Sequence, residues 1–100
     1  MYEIRESKIQ GKGVFAKSDI PKNFNLGIAF KKINDTGNPD DDYERTKLGE
    51  YVNHSSVKNN LSYLADNKDI FFIAKNNIKR EEELLINYKD FFWEGKRDFK

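Results

Sequence analysis

Two apolar runs, Leu61–Ala65 and Ile70–Ala74, stand on either side of the polar tetrapeptide Asp66-Asn67-Lys68-Asp69. Runs this short are strand-sized, and four turn-forming residues between them reverse the chain, so the segment reads as a β-hairpin. The same pattern recurs along the sequence. Tyr2 to Arg5 alternates apolar and polar residues, and Gly13 to Ala16 forms an extended run after the turn Gly11-Lys12-Gly13. After the turn Ile20-Pro21-Lys22-Asn23, the strand from Phe24 to Lys31 is expected to place Phe24, Leu26, Ile28 and Phe30 on one face. Asn25, Gly27, Ala29 and Lys31 then lie on the other. A last apolar run spans Leu84 to Ile86, behind the charged stretch from Lys79 to Glu83.

One short helix interrupts this pattern. Asn38 is placed as its N-cap, Pro39 as its first residue, and Asp40, Asp41 and Asp42 sit where the helix dipole favours negative charge. Tyr43, Leu48, Tyr51 and Val52 could share one face, and Gly49 predicts an end near Lys47. The expected fold is mainly β, with six or so short strands and one short helix.

At 100 residues the chain is expected to be a single domain over residues 1–100, with a thin core. Aromatic residues make up 14% of the chain and fill a small core efficiently. The core is placed within residues 2–88. In the tail, 89–100, Phe91, Phe92, Trp93 and Phe99 are too apolar to be left in water and are expected to pack back on the body.

Eighteen basic residues against 17 acidic ones leave a net charge of +1, so no overall field draws the chain to nucleic acid or an anionic membrane. There is no cysteine and a single histidine, which excludes disulfides, thiolate nucleophiles and an ordinary zinc site; no metal is expected. The chain opens Met-Tyr-Glu-Ile-Arg without an apolar signal core, and no stretch approaches a membrane span, so a soluble, cytoplasmic protein is expected.

Two polar signals bracket the hairpin: Asn53-His54-Ser55 before it and Glu82-Glu83-Leu84 with Tyr88 after it. Together with Gly11-Lys12-Gly13-Val14-Phe15-Ala16, Asp19-Ile20-Pro21-Lys22 and Asn59, their order and spacing resemble the SET-domain protein-lysine methyltransferases, over most of residues 2–88. The resemblance implies a compact β-clip fold in which the last two motifs form a pseudoknot. It implies methyl transfer from S-adenosylmethionine to a lysine of a protein substrate, with cofactor and lysine entering a narrow channel from opposite faces. Lys12, Gly13, Asn53 and His54 would then hold the cofactor, and Tyr88 would stand at the methyl-transfer point. Ile86, two residues before Tyr88, falls where many members set the number of methyls added; an apolar residue there suggests that more than one is admitted.

The chain also departs from the family pattern. Ser56 and Lys58 replace a Cys and a Pro, Glu81 stands where a Gly commonly precedes Glu-Glu-Leu, and the strand around Ala29 lacks a frequent tyrosine. The cysteine-rich module that often closes the lysine channel is absent, as in the smallest members, viral ones among them; Phe91, Phe92 and Trp93 are the available substitutes. A channel completed across a homodimer is a further option.

Each residue also has a plain structural reading. His54 alone would be a packed or exposed histidine, Tyr88 a core tyrosine bonded to backbone, and Trp93 a channel wall, an adenine-stacking surface or simple core closure. Two other functions compete: a non-catalytic module on the same fold that binds a basic peptide or partner subunit, and a nucleic-acid-binding β domain using Lys31 and Lys32. The near-zero net charge weighs against the second.

Overall fold

The computed structural model describes residues 1–66 and 68–90. The expectations for the tail, including Phe91, Phe92, Trp93 and Phe99, lie outside the described residues. In chain order the elements are β1 (Tyr2–Glu6), β2 (Lys12–Ala16), β3 (Asn25–Lys32), α1 (Pro39–Asp42), β4 (Tyr43–Arg45), α2 (Lys47–Tyr51), β5 (Asn53–His54), β6 (Leu61–Ala65), β7 (Ile70–Ala74), β8 (Glu83–Ile86) and a 3-10 turn, Tyr88–Asp90. The strands form one sheet in the order β1-β2-β8-β6-β7-β3-β4, with β5 pairing β8 from off this path.

The hairpins follow their sequence patterns. β1 and β2 pair antiparallel with Ile4 opposite Val14, and β6 and β7 pair with Leu61 opposite Ala74. Asp66 closes the second hairpin by accepting the backbone N–H groups of Lys68 and Asp69, both at 2.7 Å. Residues 7–11 turn the first hairpin, Ser7 N–H donating to the carbonyl of Gly11, which sits at φ +46°; Lys12 and Gly13 already belong to β2. The Asp19-Ile20-Pro21-Lys22 step is also fixed. Buried Ile20 pairs with Ile78 through two backbone bonds, and Asp19 Oδ1 accepts the N–H of Arg80 at 2.8 Å.

Three expectations need correction. The single helix is two short ones separated by β4, because Tyr43–Arg45 pairs with β3 instead of continuing α1. Gly49 does not end a helix: it lies inside α2, where a Cβ would stand 2.1 Å from the carbonyl oxygen of Ala29. The glycine lets α2 sit directly on β3. The two-faced reading of β3 also fails, since Ala29 is fully buried together with Leu26 and Phe30. Register shifts between Asn25 and Gly27 and between Ile28 and Phe30 slip the alternation, as bulges do.

Asn38 caps α1 as expected, its side chain accepting the N–H of Asp40 at 3.1 Å. Asp42 does more than complement a dipole. Its buried carboxylate accepts the Thr36 N–H and hydroxyl and the Gly37 N–H at 2.7 to 2.8 Å, closing the loop before α1. Burial works against its charge, yet the Thr36 and Gly37 hydrogen bonds outweigh it and hold the carboxyl below its ordinary range.

Glu81 adopts φ +76°, the left-handed region that side chains avoid and glycine tolerates. The departure from the family's glycine is therefore a strained turn. Its carboxylate pairs with Arg5 at 3.0 Å, but both side chains are substantially exposed and such pairs contribute about 0 to 1 kcal/mol. Glu81→Gly is expected to stabilise the fold by only a few tenths of a kcal/mol: a left-handed penalty of about 1.5 kcal/mol, less about 0.7 for glycine's entropy and about 0.5 for the lost pair. Urea denaturation checks this; a lower midpoint in the variant would refute it.

Candidate active site

β8 is gripped from both sides by the segment that carries Asn53-His54-Ser55. β5 pairs it in parallel, Asn53 opposite Leu85 and His54 opposite Ile86, and Ser55 donates to the Ile86 carbonyl at 3.0 Å. Further on, Asn60 attaches to the same strand. Its backbone N–H donates to the Leu85 carbonyl at 2.9 Å, its side-chain amide donates to the Glu83 carbonyl at 3.0 Å, and its Oδ1 accepts the Leu85 N–H at 2.8 Å. Between them, Asn59 donates to the Ser55 carbonyl at 3.0 Å and Ser55 Oγ accepts the N–H groups of Val57 and Lys58. Sequence reasoning singled out Asn59 and missed Asn60, whose only signal is a second amide just before an apolar run.

Consecutive residues of an extended strand point to opposite faces, and β5 uses both. Asn53, 9% exposed, turns toward the first hairpin. Its Nδ2 donates to the carbonyls of Gln10 and Lys12 at 3.2 and 3.1 Å and to Glu83 Oε2 at 2.9 Å. Ser7 Oγ also donates to the Glu83 carboxylate, at 2.9 Å. Gly13 makes this meeting possible: a Cβ there would lie 2.2 Å from Glu83 Oε2 and 3.1 Å from Asn53 Nδ2. The structure thus unites Lys12, Gly13 and Asn53 around Glu83, a residue that the sequence reading placed in a motif without a role. Beside them opens a cleft of about 240 Å³ lined by Arg5, Glu6, Lys8, Phe15 and Glu83, with the Arg5 guanidinium 4.3 Å from the centre of the Phe15 ring.

His54 turns the other way, to Tyr88. Its Nδ1 accepts the Tyr88 backbone N–H at 3.0 Å, and the two rings lie 5.0 Å apart at a 32° tilt. The Tyr88 hydroxyl donates to the carbonyl of Val52 at 2.8 Å. Residues 52–54 therefore hold Tyr88 at both its backbone and its tip. Burial raises the ionisation of this phenol above its ordinary value, so it remains a protonated donor through neutral pH. Ile86 is fully buried in the apolar cluster beneath this pair. Phe92 and Trp93 lie outside the described residues.

A family model for the SET domain matches residues 28–89. Among solved structures, a Plasmodium falciparum protein described as a candidate histone methyltransferase is similar at TM-score 0.69 and 24% identity, over 92% of this chain and 96% of that one. The methyltransferase domain of human PR domain-containing protein 2 is similar at TM-score 0.66 and 23% identity, over 85% and 74% of the two chains. A humanized mutant of the Chaetomium thermophilum Polycomb Repressive Complex 2, bound to the inhibitor GSK126, matches at TM-score 0.68 and 20% identity, over 90% of this chain and 15% of that one. At these identities the likeness establishes the fold, a mainly β SET-domain fold. No curated protein matches in a sequence search. With the family model covering more than half its length, the chain belongs to the SET-domain family.

Proposed function

We propose that this chain transfers a methyl group from S-adenosylmethionine to the side-chain nitrogen of a lysine in a protein substrate. The observation that carries this reading is the two-sided strand β5, which ties the Gly13 hairpin to one face and Tyr88 to the other. A transfer between two ligands entering from opposite sides needs such a divider.

The polar groups near β5 fit the cofactor. Asn53 Nδ2 is committed to protein acceptors, but Asn53 Oδ1 has no protein partner among the described residues, and the Glu83 carboxylate lies beside the Gly13 backbone, while His54 stands on the Tyr88 face. An acceptor and an anion suit a molecule carrying a nucleoside, an amino acid and a sulfonium. When bound, S-adenosylmethionine would supply an activated methyl carbon to a neutral amine, a C–N bond forming as the C–S bond breaks and the thioether leaves.

The chain must then provide a neutral amine and alignment. A free lysine has a pKa of about 10.4, so deprotonation at pH 7 costs roughly 4 to 5 kcal/mol. Tyr88, half-buried against the apolar cluster, supplies an environment that disfavours the ammonium and a phenol dipole that orients the nitrogen. Holding reactants in line accounts for much of the rate without a strong base. Likeness to a Plasmodium falciparum protein described as a candidate histone methyltransferase supports a protein as the acceptor class.

Calorimetric titration of the full chain with S-adenosylmethionine tests the reading, followed by mass spectrometry of a lysine-peptide library incubated with both. Saturable heat and peptides heavier by a methyl mass are expected. Absence of both would overturn the enzyme reading and leave a binding module on the same fold.

A further inference from the structure

The imidazole of His54 has two nitrogens with different tasks. Nδ1 accepts the backbone N–H of Tyr88 at 3.0 Å, so the proton of the neutral ring must sit on Nε2. A protonated imidazole carries a hydrogen on Nδ1 as well, and two donors would then face each other across that contact. The bond at the other end, from the Tyr88 hydroxyl to the Val52 carbonyl, starts two residues before His54. One short segment therefore fixes the position of Tyr88, and one half of that grip exists only while the imidazole is neutral.

We infer that His54 is the positioning residue for Tyr88, and that protonation of its imidazole releases the Tyr88 backbone and switches methyl transfer off. The inference rests on the methyl-transfer reading for its effect on turnover; the coupling between the two residues stands on geometry alone. Among the described groups around β5, Tyr88 faces the imidazole and Lys89 on the same turn is exposed. Glu83 on β8 is engaged by Ser7 and Asn53 on the opposite side. No described carboxylate is thus shown facing the ring to hold its protonated form in place. As His54 is the chain's only histidine, its titration is unambiguous.

His54→Asn separates this role from general packing, because Asn Oδ1 can occupy the place of Nδ1 and accept the same N–H at any pH. Two measurements on the 100-residue chain test the inference. In the first, nitrogen-15 spectra follow the Tyr88 amide and the His54 ring through a pH titration. The Tyr88 amide is expected to shift with the imidazole midpoint in the wild type and not in H54N. A Tyr88 amide that ignores the imidazole overturns the coupling even in an active enzyme, and one that follows it supports the coupling even in a chain that transfers no methyl.

The second measurement is the pH profile of kcat/KM for a lysine peptide. Deprotonation of the substrate amine alone gives log kcat/KM a slope of about 1 over the neutral and acid range. The imidazole adds a second proton, so the wild type is expected to steepen to about 2 on the acid side of its ionisation, while H54N stays near 1. Equal slopes in the two proteins overturn the switch. His54→Phe keeps a ring but no acceptor, and is expected to lose about tenfold or more in turnover together with exchange protection at the Tyr88 amide. Full turnover in that variant also overturns the inference, and H54N decides the matter if H54F does not fold.

Discussion

Tyr88→Phe is expected to lower methyl transfer by about 10²-fold, the cost of misplacing the amine once the hydroxyl oxygen that orients it, its own proton held by the Val52 carbonyl, is gone. Cofactor affinity should be unchanged, because Asn53, Gly13 and Glu83 form their network on the opposite face of β5. The lost bond to the Val52 carbonyl costs about 1 kcal/mol of stability, too little to unfold the domain. Single-turnover mass spectrometry beside calorimetric titration separates the two effects. Wild-type turnover in the variant would remove Tyr88 from the reaction. Loss of cofactor binding in step with turnover would instead make the hydroxyl a structural support of the whole site.

Gly49→Ala is expected to destabilise the fold by about 3 kcal/mol, at the upper end for an overpacked site. The new methyl would meet backbone, with the Ala29 oxygen at 2.1 Å and its carbonyl carbon at 2.9 Å, and the Phe30 ring lies 3.2 Å away. Backbone cannot swing aside as a long side chain can. Helix α2 would have to lift from β3, straining the Thr46 cap, whose hydroxyl donates to the Ile28 carbonyl at 2.7 Å. A fall in melting temperature of about 15 °C follows for a domain of this size. Since α2 leads directly into Val52, Asn53 and His54, activity should fall further than the unfolded fraction explains. An unchanged melting temperature would mean that α2 does not press on β3.

The contrast between Gly13 and Gly49 shows what the sequence could reveal. Both admit a close neighbour, but only Gly13 sat in a recognisable pattern; the neighbour of Gly49 is 20 residues away, in a strand whose bulges hide which face is inward. The hairpin at Leu61 to Ala74 was legible because its pairing is local and its two mainly apolar runs flank a turn-forming segment. The split helix was not, since Tyr43–Arg45 becomes a strand only by pairing with β3. At the site, Asn53, His54 and Tyr88 could be named from the family resemblance, but their division between the two faces of β5 needed the register with β8. Asn60 and Ser7 act through backbone groups or a carboxylate that only the folded chain brings near, so nothing local marked Ser7 and only a second amide before an apolar run marked Asn60.

An interior strand of the sheet, β8, is also the last of the described strands to be made. β8 joins the N-terminal hairpin to β6, β7, β3 and β4, yet it lies near the end of the described chain. A growing chain therefore holds two partial sheets with open edges on β2 and β6 until residues 83–86 have been synthesised. Exposed edges of this kind invite pairing between molecules. Assembly of the candidate site and protection from aggregation thus arrive together during synthesis, when the strand that carries Glu83 and leads to Tyr88 slides into its slot.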